Sequence, residues 1–113
     1  VSRWRTAPEF AEGIRLFDAG ATRAAHESFE EAWRAQRGTA LGEVARALAQ
    51  WAAACVHLEE GRAHGFQSLA AKCADRLAQP EIDAEFGTRP LSAWMARAAA
   101  TSAGPGVVRP LPR

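Results

Sequence analysis

Residues 24–35, AAHESFEEAWRA, gather a histidine, three glutamates and a tryptophan on one stretch of helical character. At about 100° per residue, His26, Glu30 and Trp33 fall in one narrow arc because they are spaced i, i+4 and i+7. Ala25, Phe29 and Ala32 continue that arc on one side, while Glu27, Glu31 and Arg34 lie on the other as solvated charges. Phe29 and Trp33 are therefore expected to be buried, with His26 and Glu30 at the border of the buried face. A carboxylate held near apolar surface is costly unless it is paired, hydrogen-bonded or bound to a cation, so Glu30 needs a partner.

That partner is sought on the next long apolar segment, residues 41–60. Leu41, Val44, Leu48, Trp51, Cys55 and Leu58 form its broad apolar face, and Glu43, Gln50 and His57 recur every seven residues as a separate polar stripe. Ala47, Ala53 and Ala54 border the stripe and let a second helix approach closely. If the two helices pack antiparallel across Gly38, His26 and Glu30 can reach Gln50 and His57. Three chemistries are open to such a group. One is a divalent-metal site with His26, Glu30 and His57 as ligands, Gln50, Trp33 and Glu27 being supporting residues; its nitrogen and oxygen donors suit zinc, iron, nickel or manganese better than calcium. A second is a hydrogen-bond network that fixes helix register. The third is direct acid–base catalysis. If the protein is an enzyme, metal-dependent hydrolysis is the favoured class. No organic cofactor is implied, because no phosphate-binding glycine loop or nucleophile elbow is present.

The elements that must position these residues read as all helical. Gly20, Gly38, Gly61, Pro80 and Pro90 punctuate segments of helical periodicity. Phe10, Ile14 and Phe17 mark the first helix. Thr22 is a plausible cap for the second, which runs to about Arg37 before Gly38. The third, about Leu41 to Glu60, is long and apolar enough to be central, and Phe66, Leu69, Ala70, Cys73 and Leu77 define the fourth. The stretch PEIDAEFGTRP reads as an irregular connection, with or without one helical turn. Thr88 and Pro90 then start a short last helix through Trp94, Met95 and Ala98. The expectation is one compact all-α bundle of four main helices plus a short C-terminal one, spanning residues 1–101. The Pro/Gly-rich tail 102–113 follows, mobile or docked in extended form.

Composition narrows the function classes. The 113 residues are 48% hydrophobic and carry Lys+Arg 14 against Asp+Glu 13, a net charge of +1. So even a balance offers little field for nucleic acid or an anionic membrane. No apolar run approaches the ~18 residues of a bilayer span, and VSRWRTAPEF lacks the apolar centre of a secretory signal, so a cytoplasmic location is expected. Cys55 and Cys73 sit in Ala-rich apolar stretches without C-x-x-C spacing and are expected to be free, buried thiols. Trp94 and Met95 are candidate exposed apolar residues for packing against a second copy of the chain, which would make a homo-oligomer.

With these residues in view, the chain resembles domain-of-unknown-function family 309 over about residues 10–78. The family's His-x-x-x-Glu-x-x-Trp/Tyr motif is matched by His26, Glu30 and Trp33 within AHESFEEAWR. FDAGATRAAHE is similar to its approach to the motif, and LAQWAAACVHLEEG to its next helix, through Gln50, His57 and Gly61. The chain departs where Arg62 stands for an asparagine and where Arg46–Ala47 replaces a glutamine–glycine pair. The resemblance implies an all-helical fold and a metal-binding role.

Overall fold

In the computed structural model, which describes residues 2–101 and 108–113, the sequence folds into six α-helices and no strand among those residues. Two 3₁₀ turns, Arg3–Thr6 and Pro8–Phe10, lead into α1 (Ala11–Asp18). There follow α2 (Thr22–Ala35), α3 (Ala40–Glu59), α4 (Ala63–Leu77), α5 (Pro80–Phe86) and α6 (Arg89–Ala100). The fold is compact, with a radius of gyration of 12.6 Å.

The central role expected for the third helix is what the structure has. α3 packs on α2 along one side and on α4 along the other, with α1 behind α2 and α6 behind α4. Of its apolar face, Val44, Leu48, Trp51 and Cys55 are fully buried and Leu41 and Leu58 near its ends partly buried, while Ala45, Ala47, Ala52 and Ala54 on its other sides are fully buried. Small side chains there are what allow two neighbours to approach one helix. Trp51 anchors the far half of the core, its ring 5.7 Å from Phe66 and 5.2 Å from Trp94. Both cysteines are free and buried. α2 and α3 run antiparallel: at one end Thr22 and Arg23 of α2 bond to Glu59 and Glu60 at the end of α3.

Four sequence expectations change. Thr22 is the first helical residue rather than a cap, and its hydroxyl donates to Glu59 Oε2 at 2.6 Å instead of accepting from its own helix. The cap with a side-chain bond is Thr39, whose hydroxyl accepts from Gly42 N–H at the start of α3. The connection after Pro80 is a seven-residue helix, not an irregular loop. Pro80 at its start has no N–H to leave unsatisfied, Glu81 and Asp83 favour the positive end of its dipole, Ile82 anchors it in the core, and Gly87 ends it at φ 64°. Met95, expected at the surface, is fully buried, and Trp94 is half-buried against Trp51.

The tail is docked where it is described. Val108 and Leu111 are buried, Leu111 N–H donates to Asp18, and Arg109 reaches Phe17, Thr22 and Glu59. The expectation for residues 102–107 lies outside the described residues. Among those described, no helix is long and apolar enough to cross a membrane.

Candidate functional site

The arc on α2 forms as its spacing requires. Ala25 and Phe29 are buried, Glu27, Glu31 and Arg34 are exposed, and His26 and Glu30 stand between, their side chains 31% and 35% exposed. At that exposure Glu30 keeps part of its hydration, which lowers the demand for a compensating charge. Its Oε1 accepts a bond from Arg34 Nη1 at 3.4 Å, and its Oε2 lies 3.7 Å from His26 Nε2, beyond hydrogen-bonding distance. Trp33 is only half-buried. Its ring carries the guanidinium of Arg37 at 4.7 Å and that of Arg46 at 5.1 Å.

Against α3 these residues open two adjoining clefts that share His26 and Ala53. The first is lined by His26, Glu30 and Trp33 of α2 and by Arg46, Ala49, Gln50 and Ala53 of α3. The side-chain oxygen of Gln50, Oε1, is buried without a hydrogen-bond partner among the described residues. In the second, His26 and Glu27 face Arg23 and His57 across Ala53 and Val56. The groove thus brings Glu30 to Gln50 and His26 to both clefts, but it puts His57 beside Glu27 and Arg23 rather than beside Glu30. Among the described residues, no three His, Cys, Asp or Glu side chains stand close enough together to hold an ion.

His57 is held from behind. Its Nδ1 accepts from Arg62 Nε at 2.8 Å, so the neutral ring carries its proton on Nε2. Metal-bound histidines have the opposite arrangement, donating their second nitrogen to an acceptor. Gly65 of α4 permits this placement, because a Cβ there would lie 2.7 Å from His57 Nδ1. Arg23 is engaged as well. It pairs with Glu60 at 2.6 Å, and Arg62 pairs with the other oxygen of the same carboxylate. The hydrogen bond from Arg62, joined by the attraction of both guanidinium groups, holds the Glu60 carboxyl below the usual carboxylate range. Glu43, placed by its spacing in one stripe with Gln50 and His57, turns to α4 and pairs with Arg76 at 2.8 Å.

Sequence reasoning missed Arg46 and Arg37 as neighbours of the motif. The signal was present, since Arg46 precedes Gln50 by four residues, one turn along the same face of α3, and Arg37 follows Trp33 by four in the segment expected to be helical to about Arg37.

No curated protein and no solved structure matches the chain. Over residues 10–69 it matches the family described as Domain of unknown function (DUF309). The matched stretch takes in α1 to α3 and the first half of α4, and every residue that lines the two clefts. Since it is more than half of the 113 residues, the chain belongs to the DUF309 family.

Proposed function

We propose that the cleft between α2 and α3 binds a divalent cation through the His26 imidazole, the Glu30 carboxylate and the Gln50 side-chain oxygen. The observation that carries this reading is Gln50, which lines the cleft together with His26 and Glu30 and whose side-chain oxygen Oε1 is a buried acceptor with no hydrogen-bond partner among the described residues. A buried acceptor left unmatched costs about 1–3 kcal/mol, a cost removed when a cation enters. Glu30 Oε2 and His26 Nε2 are too far apart to bond each other, which leaves both able to turn toward an ion. A register-fixing network would instead join His26 or Glu30 to Gln50 or His57, and no such bond exists among the described residues.

The nitrogen and two oxygens suit zinc, iron, nickel or manganese. Gln50 takes the place that spacing alone gave to His57, whose Nδ1 is already occupied by Arg62. When bound, such an ion supplies Lewis acidity, and hydrolysis is the reaction class that it serves. His26 and Glu30 lie one turn apart on one helix, so their spacing is set by backbone geometry before the ion arrives.

The test is metal content and Mn²⁺ or Zn²⁺ titration of protein prepared without a histidine tag. The wild type should take up one ion. Glu30→Gln and Gln50→Ala should weaken uptake about tenfold or more, and His57→Gln should leave it unchanged. A folded wild type that takes up neither ion would remove the reading.

A further inference from the structure

Trp33 gathers two positive charges, one from the turn that follows α2 and one from α3. Arg37, just beyond the end of α2, and Arg46, on α3, both place their guanidinium groups against its ring. Neither forms an ion pair among the described residues, whereas Arg23, Arg34 and Arg76 all do. Each cation–ring contact contributes about 0.5–1 kcal/mol at an exposed site, and gathering two like charges opposes that gain. What the pair lacks is an anion.

We propose that Arg37 and Arg46, held on Trp33, form a binding site for the phosphate group of a small ligand. Contact with the indole restrains both guanidinium groups and lowers the entropy lost when they close on phosphate oxygens. Arg46 also lines the Glu30 cleft, so a ligand held there by its phosphate reaches directly into that cleft. At about 200 Å³ the cleft is smaller than the roughly 300–1,000 Å³ typical of sites for drug-sized ligands. The ligand is accordingly a small phosphate ester rather than a polymer, and a net charge of +1 gives a nucleic-acid chain little else to hold. Only the placement of the remainder of the ligand rests on the cation reading; the anion site does not.

The test is an NMR titration of chelator-treated full-length chain with inorganic phosphate at constant ionic strength, following the Trp33 indole and the arginine Nε–H signals. Saturable shifts are expected, weakened about tenfold or more by Arg46→Gln or Arg37→Gln, with Arg97→Gln as a control that leaves them unchanged. Equal shifts from chloride, or phosphate binding unaffected by both substitutions, would overturn the proposal. So would tighter binding of short single-stranded DNA than of phosphate, lost through the same arginines. Because chelated protein is used, Glu30→Gln separates the two readings: it should weaken Mn²⁺ uptake about tenfold or more and keep phosphate binding.

Discussion

The hydroxyl of Thr22 donates to Glu59 Oε2 at 2.6 Å, tying the first residue of α2 to the last residue of α3. Arg109 completes the joint. Its Nη2 reaches the same hydroxyl at 3.0 Å and the same carboxylate at 2.8 Å, its Nη1 donates to Phe17 O at 2.9 Å, and the guanidinium lies over the Phe17 ring. One residue of the tail thereby fastens α1, α2 and α3 at a single corner.

Arg109→Ala should therefore destabilise the fold, by about 1–2 kcal/mol once the partial exposure of Glu59 is allowed for. Removing residues 108–113 should cost more, because Val108 and Leu111 are buried and each such side chain contributes roughly 1.5–3 kcal/mol. Urea midpoints of the two variants give the comparison. A midpoint unchanged by the truncation would show that the docked tail contributes no stability.

Two helical glycines should behave against their propensity. In an exposed helix Gly→Ala gains up to about 1 kcal/mol, but a Cβ on Gly42 would lie 2.1 Å from Gln36 O, a backbone atom that cannot step aside. A Cβ on Gly65 meets the His57 ring at 2.7 Å, and a side chain can turn. Gly42→Ala should thus be the more destabilising of the two. The loss from Gly65→Ala should shrink when His57→Ala is present, a coupling that a double-mutant cycle reads directly.

These residues also show what a single sequence can carry. The arc of His26, Glu30 and Trp33, the burial of Phe29 and the central place of α3 were legible because they follow from helical period along one segment. Which α3 residue meets Glu30 was not. Gln50 and His57 differ by seven residues, about 10 Å along the axis, and the register of α2 against α3 chooses between them through contacts such as Thr22–Glu59 that no local pattern records. The same holds for α5, two turns too short to reveal a period and stabilised by Ile82 in the core.

Met95 separates packing from association. It is fully buried under α4, so Met95→Ala should cost about 2–5 kcal/mol through the cavity it leaves. Trp94→Ala removes a half-buried ring packed at a tilt against Trp51 and should also lower stability. Thermal or denaturant unfolding measures both, beside the sedimentation of each variant. A change in oligomer size with unaltered monomer stability would contradict the packing account.

The buried thiols give stability a dependence on alkaline pH with a definite sign. Desolvation dominates at both, pushing Cys73 up to about 12 and Cys55 higher still from an ordinary value of 9.0. A thiol whose folded value is raised stays protonated in the native state while its unfolded counterpart ionises. The folded state is therefore at full advantage below the unfolded value and loses ground as pH climbs through the window between 9.0 and about 12. Each thiol should contribute a fall of about 1.4 kcal/mol per pH unit there. The window is unusually clean, since the chain has no tyrosine and a single exposed lysine, Lys72. Urea unfolding at pH 7, 9, 10 and 10.5 should show this fall, and Cys73→Ala should lower stability at pH 7 through its lost packing yet flatten the alkaline slope by one thiol's share. A variant with the slope of the wild type would mean that Cys73 ionises as readily folded as unfolded and that its burial does not raise it.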